Sequence, residues 1–265
     1  SYCCFYRWNA LQNWIKLNMQ DKDFDKDYIY SNDEIFMEKY NKRFWEAFKP
    51  IKKKMNILDE NIIFAVDCPR DSIWRMEHSK DYKSNRVNLN ECQQEDCKNI
   101  FIHTINELLP KYKEAYNVKI MQVDNAEADD IIASTVKYIR NNDKEREIII
   151  IANDHDYLQL IDDNLKIYNF KMKLLNDKSI GTGKQNLLYK ILRGDPSDNI
   201  KSPFKKCGEK TAMKYVLSEE KLKEAFDKEP GSLDKFNFNK LMIDFDMIPK
   251  NISTNITSKL NEIGL

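Results

Sequence analysis

Cysteine and histidine are missing from the arrangements that bind borderline metals. None of the six cysteines (Cys3, Cys4, Cys68, Cys92, Cys97, Cys207) forms a Cys-x-x-Cys pair, and the histidines are His78, His103 and His155 alone. The ligand spacing of a zinc site is therefore absent. No apolar run approaches the roughly 18 residues that a membrane-spanning helix needs. Net charge is missing too, because Lys+Arg and Asp+Glu both number 43. That balance argues against a nonspecific polycation, but not against an enzyme that segregates an acidic centre from basic walls. There is no internal repeat, no low-complexity tract and no signal-peptide pattern, so the expectation is reduced thiols in an intracellular compartment.

What is present is a chain of 265 residues, enough for one large domain with a smaller appendage. It opens on an aromatic-rich amphipathic stretch running through Trp14 and Leu17, with no preceding strand. This reads as the start of a fragment that lacks a short N-terminal piece. Phe36, Tyr40, Phe44 and Phe48 recur every four residues, which predicts a helix over 33–55 with a core face, disturbed near its end by Pro50. Ile62–Val66 reads as a buried parallel strand ending at Asp67. Residues 70–98 are polar and weakly periodic, and a helical stretch follows at 99–116. Then come a strand at Val118–Val123, a helix at Glu127–Arg140 capped by Asp124 or Asn125, and a β-branched strand at Glu147–Ala152. A helical turn at Asp156–Ile161 and a strand at Leu165–Asn169 complete the alternation. Strands alternating with helices predict an α/β fold with a parallel sheet flanked by helices. From about residue 184 the pattern is helical only.

In an open parallel sheet, ligands bind beyond the carboxyl ends of the strands, and acidic residues cluster there. Asp67 follows the first strand. Glu127, Asp129 and Asp130 open the helix after the second, Asp154 and Asp156 follow the third, and Asp195 and Asp198 lie in Gly-Asp-Pro-Ser-Asp-Asn-Ile. Any single Asp after a strand is more often a cap or turn residue; four acidic segments in series point to a site. Eight ionised carboxylates in one cleft would raise one another's pKa values unless cations balanced them. Hard oxygen donors select Mg²⁺ or Mn²⁺, and two such ions about 4 Å apart suit in-line attack on a phosphodiester.

These residues carry a family resemblance. Val123-Asp124-Asn125-Ala126-Glu127-Ala128-Asp129-Asp130-Ile131-Ile132-Ala133 resembles the central acidic motif of the flap endonuclease / 5′–3′ exonuclease family, and Ala152–Leu160 its second. Phe64–Asp67, Trp74-Arg75 and Asp81–Arg86 resemble its strand and the base of its arch. Gly194–Ile200 followed by Cys207–Ala212 resembles its duplex-gripping helix-three-turn-helix. The resemblance spans about residues 1–220. It implies a PIN-like nuclease domain over 1–183, with an arch at about 70–98, and a helical DNA-binding subdomain over 184–265. It implies one divalent ion held by Asp67, Glu127, Asp129 and an N-terminal aspartate. A second would be held by Asp130, Asp154, Asp156, Asp195 and Asp198, in part through water. Lys83 and Arg86 would meet the scissile phosphate and the 5′ strand, and Tyr82 would stack on a base.

Two departures accompany it. No aspartate precedes Tyr6-Arg7, where the family's first strand supplies a ligand, so that residue is expected upstream of Ser1. The hairpin Ser202–Gly208 keeps only the last glycine of the usual glycine-rich turn, which bears on its shape and on its affinity for a monovalent ion. Lys201, Lys205, Lys206 and Lys210 crowd this segment, and Gly208 and Thr211 open the next helix. Phosphate contacts of that kind position a duplex without reading its sequence, although a lysine run is more often a solvated face. The expected partner is DNA bearing a 5′ end, a flap or an RNA primer, with a monomer as the default state and replication proteins as candidate partners. The rival readings are a single-domain ribonuclease with a similar acidic sheet and a non-catalytic binder of branched nucleic acid.

Overall fold

The four-residue recurrence of aromatics is realised as a helix. In the computed structural model, residues 2–19, 24–25, 27–86 and 89–265 are described, Arg86 by its backbone alone. The chain packs as two units. Unit one comprises the described residues within Ser1–Asp67, Asn88–Gln122 and Asn169–Lys173, and unit two those within Cys68–Val87, Val123–Tyr168 and Leu174–Leu265.

Unit one contains α1 (Tyr2–Asn18), α2 (Glu34–Glu46), α3 (Lys49–Met55), β1 (Ile63–Val66), α4 (Glu91–His103), α5 (Leu109–Tyr116) and β2 (Lys119–Gln122). The Asp33 carboxylate caps α2 by accepting the Phe36 N–H at 3.0 Å. Phe36, Tyr40 and Phe44 are buried on one face of α2, against Cys4, Trp8, Leu11 and Ile15 of α1. The expected single helix over 33–55 is two helices, with a turn at 47–48 and Pro50 in the first turn of α3. Proline restricts the residue before it and lacks an N–H, so it opens a helix more readily than it continues one. Helix α4 begins eight residues before the expected 99, because Asn90 and Gln93 form a capping box. A π-turn at Thr104–Leu108 precedes α5, just ahead of Pro110, which has no N–H to donate back into the helix. β1 and β2 pair in parallel, Ile63 opposite Lys119 through Val66 opposite Gln122.

Unit two contains α6 (Ala128–Asn142), β3 (Ile148–Ile151), β4 (Leu165–Tyr168), α7 (Gly183–Arg193), α8 (Glu209–Val216), α9 (Glu219–Lys228), α10 (Ser232–Ile243) and α11 (Lys250–Glu262). β3 and β4 pair in parallel, Ile148 opposite Leu165 through Ile151 opposite Tyr168. Their crossover carries a 3₁₀ helix at His155–Leu160, where the sequence predicts a helical turn. The α/β class is as expected, and the parallel sheet is present as two two-stranded pairs, β1–β2 and β3–β4. Among the described residues, no helix is long and apolar enough to cross a membrane. α11 packs on α6, with Ile131, Ile256 and Leu260 fully buried.

One polar group is central to unit one. Asp96 of α4 is 1% exposed and accepts the Trp8 indole N–H at 2.7 Å and the Ser31 backbone N–H at 2.6 Å. Asp96→Ala leaves both donors buried without a partner and is expected to lower the unfolding free energy by about 2–4 kcal/mol. Urea unfolding followed by circular dichroism measures this; an unchanged midpoint would show that these bonds do not hold α1 to α4.

Candidate active site

The acidic residues of unit two are positioned by strand ends and helix starts. Glu127 is the N-cap of α6, a role the sequence reading gave to Asp124 or Asn125. Asn125 instead takes a left-handed backbone, φ 62°, which turns the chain so that the next residues open α6. Asp154 precedes the 3₁₀ helix and caps it, accepting the Asp156 N–H at 2.9 Å. Asp195 and Asp198 flank a second 3₁₀ turn, in which Asp195 accepts from the Ser197 N–H at 2.9 Å and the Ser197 hydroxyl at 2.7 Å. Gly194 leads into this turn with φ +70°, and a Cβ there would meet the Ile200 carbonyl at 2.5 Å. Any other residue would be strained as well as crowded.

Arg75 is the hub beneath these groups. It is 2% exposed. Its Nε donates to the Met242 carbonyl at 2.8 Å, and its Nη1 to Glu127 Oε2 at 2.9 Å and Asp130 Oδ2 at 3.1 Å. Its Nη2 lies 2.9 Å from Asp130 Oδ1, in ion-pair contact but outside hydrogen-bond alignment. Asp130 is fully buried, and its Oδ2 also accepts the Trp74 indole N–H and the Glu127 N–H, each at 3.0 Å. With both oxygens so engaged, Asp130 holds the base of the site instead of presenting a free carboxylate, in contrast to the ligand role that the resemblance implies.

Tyr82 differs from expectation in a similar way. The resemblance implies a ring that stacks on a base, but the ring is 4% exposed and its hydroxyl donates to Glu127 Oε2 at 3.0 Å. Trp74 and Arg75 are buried alongside, so these three residues pack beneath the acidic centre. Burial together with Glu127 pushes the Tyr82 phenol well above its usual range, against the opposing pull of Arg75.

Two lysines face the carboxylates from the more open side. Lys83 Nζ lies 2.5 Å from Glu127 Oε1 and 3.8 Å from Asp198 Oδ2. Its backbone is left-handed, φ 57°, and its N–H donates to the Asp198 carbonyl at 3.2 Å. A non-glycine residue held in that conformation marks a place where the surroundings override local preference. Lys190 of α7 bridges Asp156 Oδ1 at 2.7 Å and Asp195 Oδ2 at 2.8 Å. Burial opposes its charge, but the two carboxylates outweigh burial and keep it an ammonium. The sequence reading did not single out Lys190. Its only signal is a position four residues after Asn186, on the inner face of an otherwise amphipathic helix.

The carboxylates also act on one another. Burial pushes Asp129 up to about 7, with Asp154 and Glu127 adding to the rise and Lys83 opposing it. Burial and Asp154 push Asp156 up to about 7 against Lys190. For Asp195 burial raises the carboxyl, but Lys190 and Ser197 prevail and hold it below the usual range. Glu127, Asp129, Asp130, Asp154, Asp156, Asp195 and Asp198 thus form one linked set of seven carboxylates with three cations, Arg75, Lys83 and Lys190. Four formal negative charges are left over. All the donors are hard oxygens, so in chemistry the set fits divalent cations. Among the described residues no three such side chains surround a common point in metal-ligand geometry; Arg75, Lys83 and Lys190 hold them.

The remaining candidates lie elsewhere. Asp67 belongs to unit one, where its carbonyl accepts from the Gln122 amide at 3.0 Å. The side chain of Arg86 lies outside the described residues. Lys201, Lys205, Lys206 and Lys210 are exposed around the loop between α7 and α8, Gly208 is the N-cap of α8, and Thr211 is half-buried in its first turn. Phe204 explains how the loop manages with so little glycine. It is buried against Tyr215 and Phe226, and the Lys205 N–H donates to Glu229 at 3.0 Å.

Comparison with known proteins bears on this site. The family model described as the 5′-3′ exonuclease, N-terminal resolvase-like domain, matches residues 38–187. The chain is 27% identical over 231 residues to a protein of Enterobacteria phage T4 named ribonuclease H, covering 81% of this chain and 74% of that protein. It is 32% identical over 185 residues to a 5′-3′ exonuclease of Mycoplasmopsis pulmonis, covering 67% of this chain and 57% of that one. Its fold resembles that of the bacteriophage T5 D15 flap endonuclease in a pseudo-enzyme–product complex with DNA and metal ions. That match has a TM-score of 0.61 at 14% identity and covers 84% of this chain and 90% of that one.

The buried guanidinium generates a stability test. Arg75→Met leaves Asp130 buried without its cation and Glu127 with Lys83 alone, and is expected to destabilise unit two by about 3–5 kcal/mol. Thermal unfolding of the purified variant checks this. A variant as stable as the parent chain would show that the two carboxylates do not depend on Arg75.

Proposed function

The chain belongs to the 5′–3′ exonuclease family defined by the N-terminal resolvase-like domain, and on that premise we propose that it is a structure-selective 5′-nuclease. It hydrolyses phosphodiester bonds of DNA bearing a 5′ end or flap with the help of two divalent ions, Mg²⁺ or Mn²⁺. The observation that carries the reading is the charge imbalance of unit two. Seven carboxylates outnumber three cations, and divalent cations would offset the excess. Asp129 and Asp156, driven toward protonation by burial and by their neighbours, are the groups that such balance would relieve most.

In this reading Glu127, Asp129, Asp154, Asp156, Asp195 and Asp198 hold the ions and Asp130 braces Glu127 from beneath, while Asp67 keeps only the ligand role that the resemblance implies. Bound divalent ions supply an activated water and charge stabilisation at the leaving oxygen. The chain's own groups do the rest. Asp154 and Asp195 are fixed by their turns, so their carboxylates need little reorganisation when substrate arrives. The Lys83 ammonium lies among the carboxylates on a strained backbone and offers a cation to a non-bridging phosphate oxygen. Arg86 keeps the neighbouring-phosphate role that the resemblance implies. The segment 184–265 serves as the duplex-binding subdomain. There Lys201, Lys205, Lys206 and Lys210 contact phosphates, and the start of α8 at Gly208 and Thr211 lies beside them. A monovalent ion at the Ser202–Gly208 hairpin would fit this role.

Asp154→Asn combined with Asp156→Asn is expected to abolish divalent-ion-dependent cleavage of a 5′-flap duplex while DNA affinity stays within about tenfold, since phosphate contacts supply most of the affinity. Asparagine at 154 retains the oxygen that caps the 3₁₀ helix. Gel cleavage and fluorescence anisotropy measure the two quantities. Retained cleavage removes these carboxylates from the chemistry. Tight flap binding by the parent chain, with no cleavage in Mg²⁺ or Mn²⁺, favours the non-catalytic binder instead.

A further inference from the structure

We propose that Lys190 is a built-in counterion that competes with a divalent ion for the Asp156–Asp195 carboxylate pair, so that ion binding there requires the ammonium to leave. The inference rests on the two-ion reading above and deepens it by assigning a control residue to one half of the centre.

The contrast between Lys190 and Arg75 carries the argument. The Arg75 side chain is 3% exposed, and besides its two carboxylates it is tied to the Met242 carbonyl. It cannot leave without stranding buried charge. The Lys190 side chain is 26% exposed, and its ammonium contacts Asp156 and Asp195. A lysine stem is flexible, and an ammonium is readily rehydrated. Its side chain is partly exposed, and among the described residues no contact beyond the two ion pairs ties its ammonium down as the Met242 carbonyl ties Arg75.

One member of the pair is held independently of the lysine. Asp195 Oδ1 is gripped by the Ser197 N–H and hydroxyl, which leaves Oδ2 as the atom facing Lys190. The Asp156 backbone N–H is held by Asp154 Oδ1, while its buried Oδ1 has no hydrogen-bond partner and faces the Lys190 ammonium. The lysine neutralises this pair.

Charge decides what replaces the lysine. Asp154 adds its field to Asp156, so the pair attracts a double charge more strongly than a single one. The ammonium nonetheless occupies the same oxygens, and its displacement subtracts from the affinity of the incoming ion. Removing it raises that affinity. Replacing it with a guanidinium, which can bridge two carboxylates and does not lose its proton, preserves the competition.

Mn²⁺ binding to the whole chain, followed by electron paramagnetic resonance in the absence of DNA, tests this with Lys190→Met and Lys190→Arg. Lys190→Met is expected to bind its tightest Mn²⁺ about tenfold more strongly than the parent chain, while Lys190→Arg stays within about threefold. Unchanged or weaker binding by Lys190→Met overturns the proposal. So does equal tightening by both variants, because lost stem packing, and not lost charge, would then be the cause. A second measurement needs no variant. Acetylation of Lys190 in the parent chain, read by mass spectrometry, is expected to accelerate when Ca²⁺ or Mn²⁺ is added, as the ammonium is released to solvent; an unchanged rate overturns the proposal. If the parent chain and Lys190→Met both fail to bind Mn²⁺, the two-ion centre falls with it. If both bind with equal affinity, the centre stands and only the competition falls.

Discussion

Uncompensated negative charge is the constraint on which unit two depends. Carboxylates in a partly dehydrated setting either take up protons or find cations, and here both responses are visible. Arg75 neutralises the deepest pair, Glu127 and Asp130, and ties them to the end of α10 through the Met242 carbonyl. Lys83 adds to the compensation of Glu127 and reaches toward Asp198, and Lys190 bridges Asp156 and Asp195. Asp129 and Asp156 are pushed toward protonation by burial and by neighbouring carboxylates, against Lys83 and Lys190. The gradient from a sealed guanidinium to reachable ammoniums divides the set into a fixed floor and an exchangeable face.

The fold delivers these groups by simple means. The β3 strand ends just before Asp154, the start of α6 presents Glu127, Asp129 and Asp130, and the tight turn after Gly194 presents Asp195 and Asp198. Asp130, Asp154 and Asp195 sit at termini where backbone N–H groups donate to their carboxylates and fix them. The loop between α7 and α8 is anchored by a buried Phe204. Its backbone is held by packing and by Glu229, leaving the lysines at its surface exposed.

Much of this was legible in the sequence, because it rests on local patterns. The Ile148–Ile151 run and the acidic segments after it are sequential features, and so are the aromatic spacing in α2 and the all-helical segment after residue 184. What the sequence did not disclose are contacts between residues far apart in the chain. Trp74, Arg75 and Tyr82 lie in a stretch that reads as polar and weakly periodic, but they meet Glu127 and Asp130 across some fifty residues and are buried there. Asp130 reads as one more ligand until its indole and guanidinium partners are known. Lys190 carries no motif at all; only the folded turn at Asp195 reveals what it faces. Boundaries shifted where a cap was overlooked, as with Asn90 and Gln93 at the start of α4.

The central claim is that these carboxylates make a divalent-ion-dependent nuclease acting from 5′ ends. The most direct measurement sets two labelled duplexes of identical sequence, one with a 5′ flap and one with a 3′ flap, against the chain in Mg²⁺ and in EDTA. The account predicts cleavage of the 5′-flap duplex alone, near its junction or 5′ end, in Mg²⁺ and not in EDTA. Cleavage that persists in EDTA, or equal cleavage of both flaps, would contradict it.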